Sequence, residues 1–530
     1  MSSSSWGVIS ARPSTSTTPN RDKTSESEYE LVSHDESRRS QTTSRSPFQK
    51  LEVSSQDLSP GAPSEQQPLK TIIEDKPTSR SKRPKIASSF SQRASKSKVC
   101  KRKGKMSEEG RAKAADMRKN GPCIRCRLYK LGCDGNNPCT RCLKVTHSAR
   151  SFLEPCSRAN LDAVSLVRHS NGRFNQLDVC FRTYRWISVD GKCPNMAVKW
   201  NLPGSTPIEG SHLSVLFRTY RPEPADDCDT TTYHWQVNGQ AHKIALPPFA
   251  VYDTVALQDD VEKFLCDNQL EIEDWVLGRC NDDKLATLTY KEALRYRSEP
   301  GSDIITMALQ MQCGAVMSQG YGSVMDPRVW KLPSVDYRQF GRCGYEAYDR
   351  VVDCPVPQAM GHQFDVAILK YINRLQKDLI KELRKKIFQP GIKPWYELFL
   401  TFFILLSNLE YIHGGALGYL TSKRNTMLES QVSYVVKSQV KEWEFSAGVM
   451  LQHFRCVLRG FLPFQLAREN LEELRQQAKL DEASVEYVTN IIKILEDQRE
   501  LFLEDYSIDA SNEGSIARRW IRQLFMESYG

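Results

Sequence analysis

Six cysteines crowd into one short stretch of this chain: Cys123, Cys126, Cys133, Cys139, Cys142 and Cys156. They read C-x2-C-x6-C-x5-C-x2-C-x13-C. Two close C-x2-C pairs can each grip a metal, and Cys133 and Cys156 each follow one pair. The opening residues hold no apolar run of signal-peptide length. The expected compartment is therefore reducing, where clustered thiols argue for metal rather than for disulfides. The other ten of the sixteen cysteines are scattered and read as ordinary buried side chains.

Zinc in structural sites takes four ligands in a tetrahedron, and thiolate is a favoured partner. Two separate ions would need eight ligands. Six thiolates complete two tetrahedra if two of them bridge both ions. Six negative sulfurs against two doubly charged ions leave about −2, which calls for a cationic shell. Arg125, Arg127, Lys130, Arg141 and Lys144 are placed to supply it. The halves also look related, since Cys-Ile-Arg-Cys at 123–126 is matched by Cys-Thr-Arg-Cys at 139–142.

Charge is concentrated around the same stretch. Residues 76–130 hold 19 Lys or Arg and three acids, a local +16 in a chain of net +9, so the remainder sums to −7. Such an excess suggests a polyanionic partner. Lys82, Arg83 and Lys85, followed by Lys101, Arg102 and Lys103, also read as a nuclear import signal in two parts.

The stretch GPCIRCRLYKLGCDGNNPCTRCLK, residues 121–144, resembles the fungal binuclear zinc cluster family of six-cysteine transcription factors. The first five cysteine positions, the basic run after Cys126 and the proline before Cys139 all fit. The resemblance implies two Zn2+ ions per chain, with Cys123 and Cys139 bridging them. It implies that the first metal-bound helix enters the major groove of double-stranded DNA. Carried over, Arg127, Tyr129 and Lys130 would face DNA, with Lys130 as base reader and Arg125, Arg118 and Lys119 beside them. Tyr129 stands where many members carry a second basic residue. The last gap, 13 residues, is longer than the usual six to nine of the family. His147 is the alternative ligand inside it, and Cys156 is the favoured one. A zinc knuckle serving protein contacts in a nuclear scaffold is the alternative reading; it would want about eight ligands with interleaved histidines, and only His147 lies near.

Four regions are expected. Residues 1–97, rich in Ser, Thr and Pro, are too polar to offset chain entropy and read as disordered. Residues 98–160 form the zinc cluster with a basic lead-in, beginning with a helix capped by Ser107 and stopped at Asn120-Gly121-Pro122. Residues 161–250 read as β-rich. Alternation from Val179 to Val189 ends at Asp190-Gly191, and Tyr233, Trp235 and Val237 end at Asn238-Gly239, both hairpin signals. Leu213, Val215, Phe217 and Thr219 give another strand. FRTYR occurs at both 181–185 and 217–221.

Residues 251–530 read as mainly α-helical and regulatory. Val366, Leu369, Ile372, Leu375, Leu379 and Leu383 recur at helical steps. Leu471, Leu474 and Ala478, then Val485, Val488, Ile492 and Leu495, follow heptads. Leu480-Asp481-Glu482 interrupts them like a turn, which favours two helices packing within the chain over a dimerising zipper and leaves homodimerisation open. Residues 398–406 (LFLTFFILL) are too short a run to span a bilayer and read as a buried helix, so no membrane partner is expected. Acidic-hydrophobic stretches at 259–275 and 495–509 could recruit transcription machinery. His413-Gly414-Gly415 resembles a lipase oxyanion loop, but G-x-S-x-G is missing from the sequence, as are a phosphate loop and a dinucleotide fingerprint. The expectation is a nuclear, sequence-specific regulator of RNA polymerase II transcription and not an enzyme.

Overall fold

The computed structural model describes residues 106–144, 156–169, 180–187, 191–222, 231–346, 349–389, 394–498 and 519–527. All of these belong to one compact unit. The import-signal residues Lys82 to Lys103, His147 and the turn at Asp190 lie outside the described residues.

Helix α1 (Glu108–Asn120) starts where Ser107 accepts a hydrogen bond from the Gly110 amide at 3.2 Å. It ends at Gly121, whose φ of 67° few side chains tolerate. It buries no residue, so it is a solvated basic arm leading to the cysteines. Two short helices follow, α2 (Ile124–Leu128) and α3 (Thr140–Leu143).

After Cys156 the chain threads into the body. Leu161, Val164, Leu166 and Val167 are buried there. The Ser165 amide donates to Ser446 Oγ at 2.9 Å, and the Leu166 amide to Gln376 Oε1 at 2.6 Å. Buried Arg168 pairs with Asp365.

The β-rich region forms an antiparallel five-stranded sheet, order β2-β1-β3-β6, with β7 also paired to β1. The strands are β1 (Asn195–Leu202), β2 (Thr206–Pro207), β3 (Leu213–Thr219), β6 (Phe249–Val251) and β7 (Tyr321–Val324). On β3, Leu213, Val215 and Phe217 face inward while Ser214 and Leu216 between them are exposed, as the alternation requires. β7 comes from beyond helix α7 (Asp303–Gln319) and pairs Gly322 with Trp200. Gly320, at the entry to β7, lies so close to β1 that a Cβ would sit 2.3 Å from the Asn201 carbonyl. A separate hairpin, β4 (Thr232–Val237) and β5 (Gln240–Ala245), turns on Asn238 and Gly239, with φ of 50° and 81°. In the 180–187 segment the strand expectation reduces to a single bridge, Trp186 to Tyr220. The two FRTYR copies lie side by side: Arg221 donates its amide to the Arg185 carbonyl, and the equivalent rings of Tyr184 and Tyr220 are 4.5 Å apart. A further short pair, β8 (Val335–Asp336) with β9 (Val352–Asp353), precedes the long helices.

Helices α4 (Thr254–Asp267), α5 (Gln269–Arg279) and α6 (Lys284–Tyr296) lead to α7. The core is then built from α8 (Gln358–Phe388), α9 (Trp395–Lys423) and α10 (Glu429–Leu458). The spaced apolar residues of α8 are buried, Leu375 only partly. All of 398–406 is buried within α9, as an all-round apolar helix must be. By length and composition α9 could cross a membrane, yet 72 % of its most apolar window is buried inside the fold.

The heptad positions fall on α11 (Pro463–Ala478) and α12 (Glu482–Asp497). Asp481 caps α12 by accepting from the Ser484 amide, so the interruption is a true helix boundary. Of the heptad positions Leu474, Val488 and Leu495 are buried, and Leu471, Ala478, Val485 and Ile492 pack partly buried against the same core. The 259–275 stretch is α4 and α5, with Val261, Phe264, Leu265 and Ile272 buried.

Candidate metal centre

The six sulfurs form two groups of four: Cys123, Cys126, Cys133 and Cys139, and Cys123, Cys139, Cys142 and Cys156. Within each group the ligand atoms lie within 4.8 Å of one another. The groups share one edge, Cys123 to Cys139, at 3.9 Å. Cys123 to Cys142 and Cys126 to Cys139 are each 3.7 Å. A zinc–sulfur bond of about 2.3 Å puts the sulfurs of a tetrahedron roughly 3.8 Å apart. The donor set therefore fits two zinc ions joined through two bridging thiolates.

Local structure explains why the sulfurs converge. Cys123 and Cys139 are the N-cap residues of α2 and α3, and Cys126 and Cys142 stand three residues on, in the first turn. In each half the C-x-R-C segment thus curls two sulfurs to one side. The Cys126 amide points at Cys123 Sγ (3.5 Å), and the Cys139 amide donates to Cys156 Sγ at 3.1 Å. Asp134 braces the second half by accepting from the Thr140 amide at 2.8 Å and from the Thr140 hydroxyl. These bonds hold its carboxyl below the usual range.

The cationic shell differs in detail from the sequence expectation. Arg125 donates to Cys142 Sγ at 3.8 Å and to the Arg141 carbonyl at 3.1 Å. Arg141 donates to the Gly132 carbonyl instead of a sulfur. Arg158 donates to Cys133 Sγ at 3.9 Å, a role its place just after Cys156 could have suggested. Without metal, burial pushes the Cys126 thiol up to about 12 and Cys142 to about 11. Burial also raises Cys139, but hydrogen bonds from the Cys142 amide and neighbouring thiols outweigh it and bring it down to about 7. A buried thiol set of this kind gives up protons when metal enters.

The outer face of α2 meets the helical body. Ile124 and Leu128 belong to the same apolar core as α8, α9 and α10. Tyr129 donates its hydroxyl to the Cys456 carbonyl at 2.9 Å, and the Arg459 guanidinium lies 4.4 Å from the Tyr129 ring. Arg127 covers the Phe388 ring at 4.4 Å. Burial, then the nearby charge of Arg384, weakens the Arg127 guanidinium as a base, with Asp162 opposing. Cys456 lies behind the cluster but in neither sulfur group, and burial raises its thiol to about 12. Lys130 is exposed, in the left-handed region at φ 54°. Arg118 and Lys119 are exposed at the end of α1. None of the body residues under α2 carries a sequence signal that could have announced its role.

A cysteine-built double-metal module seated on a β-sheet and helical body defines the class: residues 121–150 match the fungal Zn(2)-Cys(6) binuclear cluster domain, which holds two zinc ions. The chain belongs to the KpeA transcription factor family, whose model matches residues 208–524. The cluster match ends before Cys156, which the sulfur geometry adds to the set. One relative is the satratoxin biosynthesis SC3 cluster transcription factor SAT20 of Stachybotrys chartarum (strain CBS 109288 / IBT 7711). It is 28% identical over 402 residues, 75% of this chain and 54% of that protein. Another is the transcription factor kpeA of Aspergillus oryzae (strain ATCC 42149 / RIB 40), 36% identical over 67 residues, 13% of this chain and 8% of that protein. The chain thus spans about half the length of the first and a small part of the second. No solved structure matches.

Proposed function

We propose that this chain is a zinc-dependent, sequence-specific DNA-binding regulator of RNA polymerase II transcription that works in the nucleus. The observation that carries this reading is the pair of four-sulfur groups sharing Cys123 and Cys139 inside an arginine shell. Cys123 and Cys139 bridge two ions; Cys126, Cys133, Cys142 and Cys156 complete the tetrahedra. The module is too small to fold on apolar burial alone, so metal supplies its folding energy. The two relatives described as transcription factors support the same reading.

In this proposal Lys130 reads base edges in the major groove, because it is exposed while its neighbours on α2 are engaged. Arg118 and Lys119 contact phosphates from α1. Tyr129 reaches DNA only if α2 leaves the body, Arg127 can meet only backbone while it is seated on Phe388, and Arg125 acts on the sulfurs. The segments around Lys82 and Lys101 serve nuclear import. No catalytic step is assigned. Contacts to transcription machinery and to a second copy belong to the proposal too, through surfaces other than the α11–α12 seam.

Zinc stoichiometry combined with random-site selection on the full chain tests the reading. Two zincs per chain and an enriched DNA motif are expected. Bound zinc with no motif would turn the reading toward a protein-contact module.

A further inference from the structure

We propose that the C-terminal half of α8 forms a second DNA-backbone site, continuous with the zinc cluster. This rests on the DNA-binding reading above. Lys377, Lys381, Arg384 and Lys385 fall at steps of four, three and one along α8, so they line one face. With Arg127 of α2 and Asp162 they wall an open groove of about 590 Å³, floored by Ile380 and Phe388.

The charge balance of that groove is lopsided. Asp162 pairs with Arg384, and Glu382 pairs with Lys385. Lys377, Lys381 and Arg127 have no ion pair among the described residues. Lys377 and Lys381 are exposed and free to follow an extended anion. Arg127 and Arg384 line the same groove, and the Arg127 guanidinium is fixed there over the Phe388 ring. Concentrated like charge beside a DNA-binding module is relieved by a polyanion, and a phosphate backbone is the polyanion that module brings.

Lys377 and Lys385 are eight residues apart, about 12 Å along a helix. Measured along a duplex axis, at roughly 3.4 Å per nucleotide of one strand, that length corresponds to three to four nucleotides. The groove therefore matches a short run of backbone beside the bases that Lys130 reads. Backbone contacts of this kind add affinity and register but no sequence information.

The test uses the full, zinc-loaded chain on its selected site, with affinity measured across a salt series. The double variant Lys377→Ala/Lys381→Ala should flatten the slope of log affinity against log salt by about 2, at about 0.9 per lost phosphate contact. It should keep two zincs and the same motif, and Lys377→Arg/Lys381→Arg should keep the slope. An unchanged slope in the alanine variant overturns the proposal and leaves α8 a solvated helix face. Tighter binding also overturns it, because the groove would then be acting against DNA. If the unaltered chain binds zinc but no DNA, the functional reading itself fails, and this site with it.

Discussion

The Tyr129 hydroxyl donates to the Cys456 carbonyl across 327 residues of sequence, at 2.9 Å. One end of this bond lies just past the first metal-bound helix, the other near the end of α10. Tyr129→Phe should cost about 1 kcal/mol of stability, the usual size of one such bond. Zinc content and the selected DNA motif should stay as they are, since the phenol is spent on the body. Denaturant unfolding alongside site selection checks this; a changed motif would put Tyr129 in the groove of DNA.

Metal removal should have a larger effect. Structural zinc contributes roughly 10–16 kcal/mol in small fingers. Excess chelator should unfold the cysteine module and abolish DNA binding, with zinc addition restoring both. Binding that survives a chelator series with no zinc left would contradict the mechanism.

The long gap gives a sharp contrast of ligands. Cys156→Ser should lower bound zinc below two per chain, because Cys156 completes the second four-sulfur group. His147→Ala should leave two. Metal analysis of the two purified proteins decides, and the reverse pattern would make His147 the ligand.

Lys130→Ala should cost about 1–3 kcal/mol in DNA binding and relax preference at one or two positions. Uniform weakening on every sequence would make Lys130 a phosphate contact.

Acid should loosen the face beneath α2. His453 is buried in α10, donates Nδ1 to the Val449 carbonyl and meets the Phe388 ring edge-on. Burial lowers it from 6.5 to about 4, and the Arg127 charge pushes the same way. The folded state therefore refuses a proton that the unfolded chain accepts. Stability is complete above pH 6.5 and falls as pH drops toward 4, by up to about 3 kcal/mol. Melting temperatures between pH 7 and pH 5 should fall less steeply in His453→Gln; parallel curves would rule the histidine out.

The sequence carried the cluster because metal chemistry fixes spacing locally. C-x-R-C with the first cysteine at an N-cap is a complete instruction within four residues. The hairpin at Asn238-Gly239 and the break at Asp481 were legible for the same reason, since each is set by a residue and its near neighbours. What sequence could not give is long-range. β7 joins β1 across more than a hundred residues, and only the close approach at Gly320 and Gly322 hints at it. The seat of α2 uses Phe388, Cys456 and Arg459, three residues that read as ordinary helix positions. Arg127 and Tyr129 looked free because a sequence shows basic and aromatic character but not what covers it.

Ile124 and Leu128 carry one last consequence. These two side chains are shared property of the zinc cluster and the helical body. A chain that lacks its ions gives up more than a DNA reader, for it uncovers an oily scar on α10. Exposed apolar surface of that kind is what chaperones and proteases recognise. On the proposed function, zinc supply would then set how much of the chain survives as well as how much of it binds DNA.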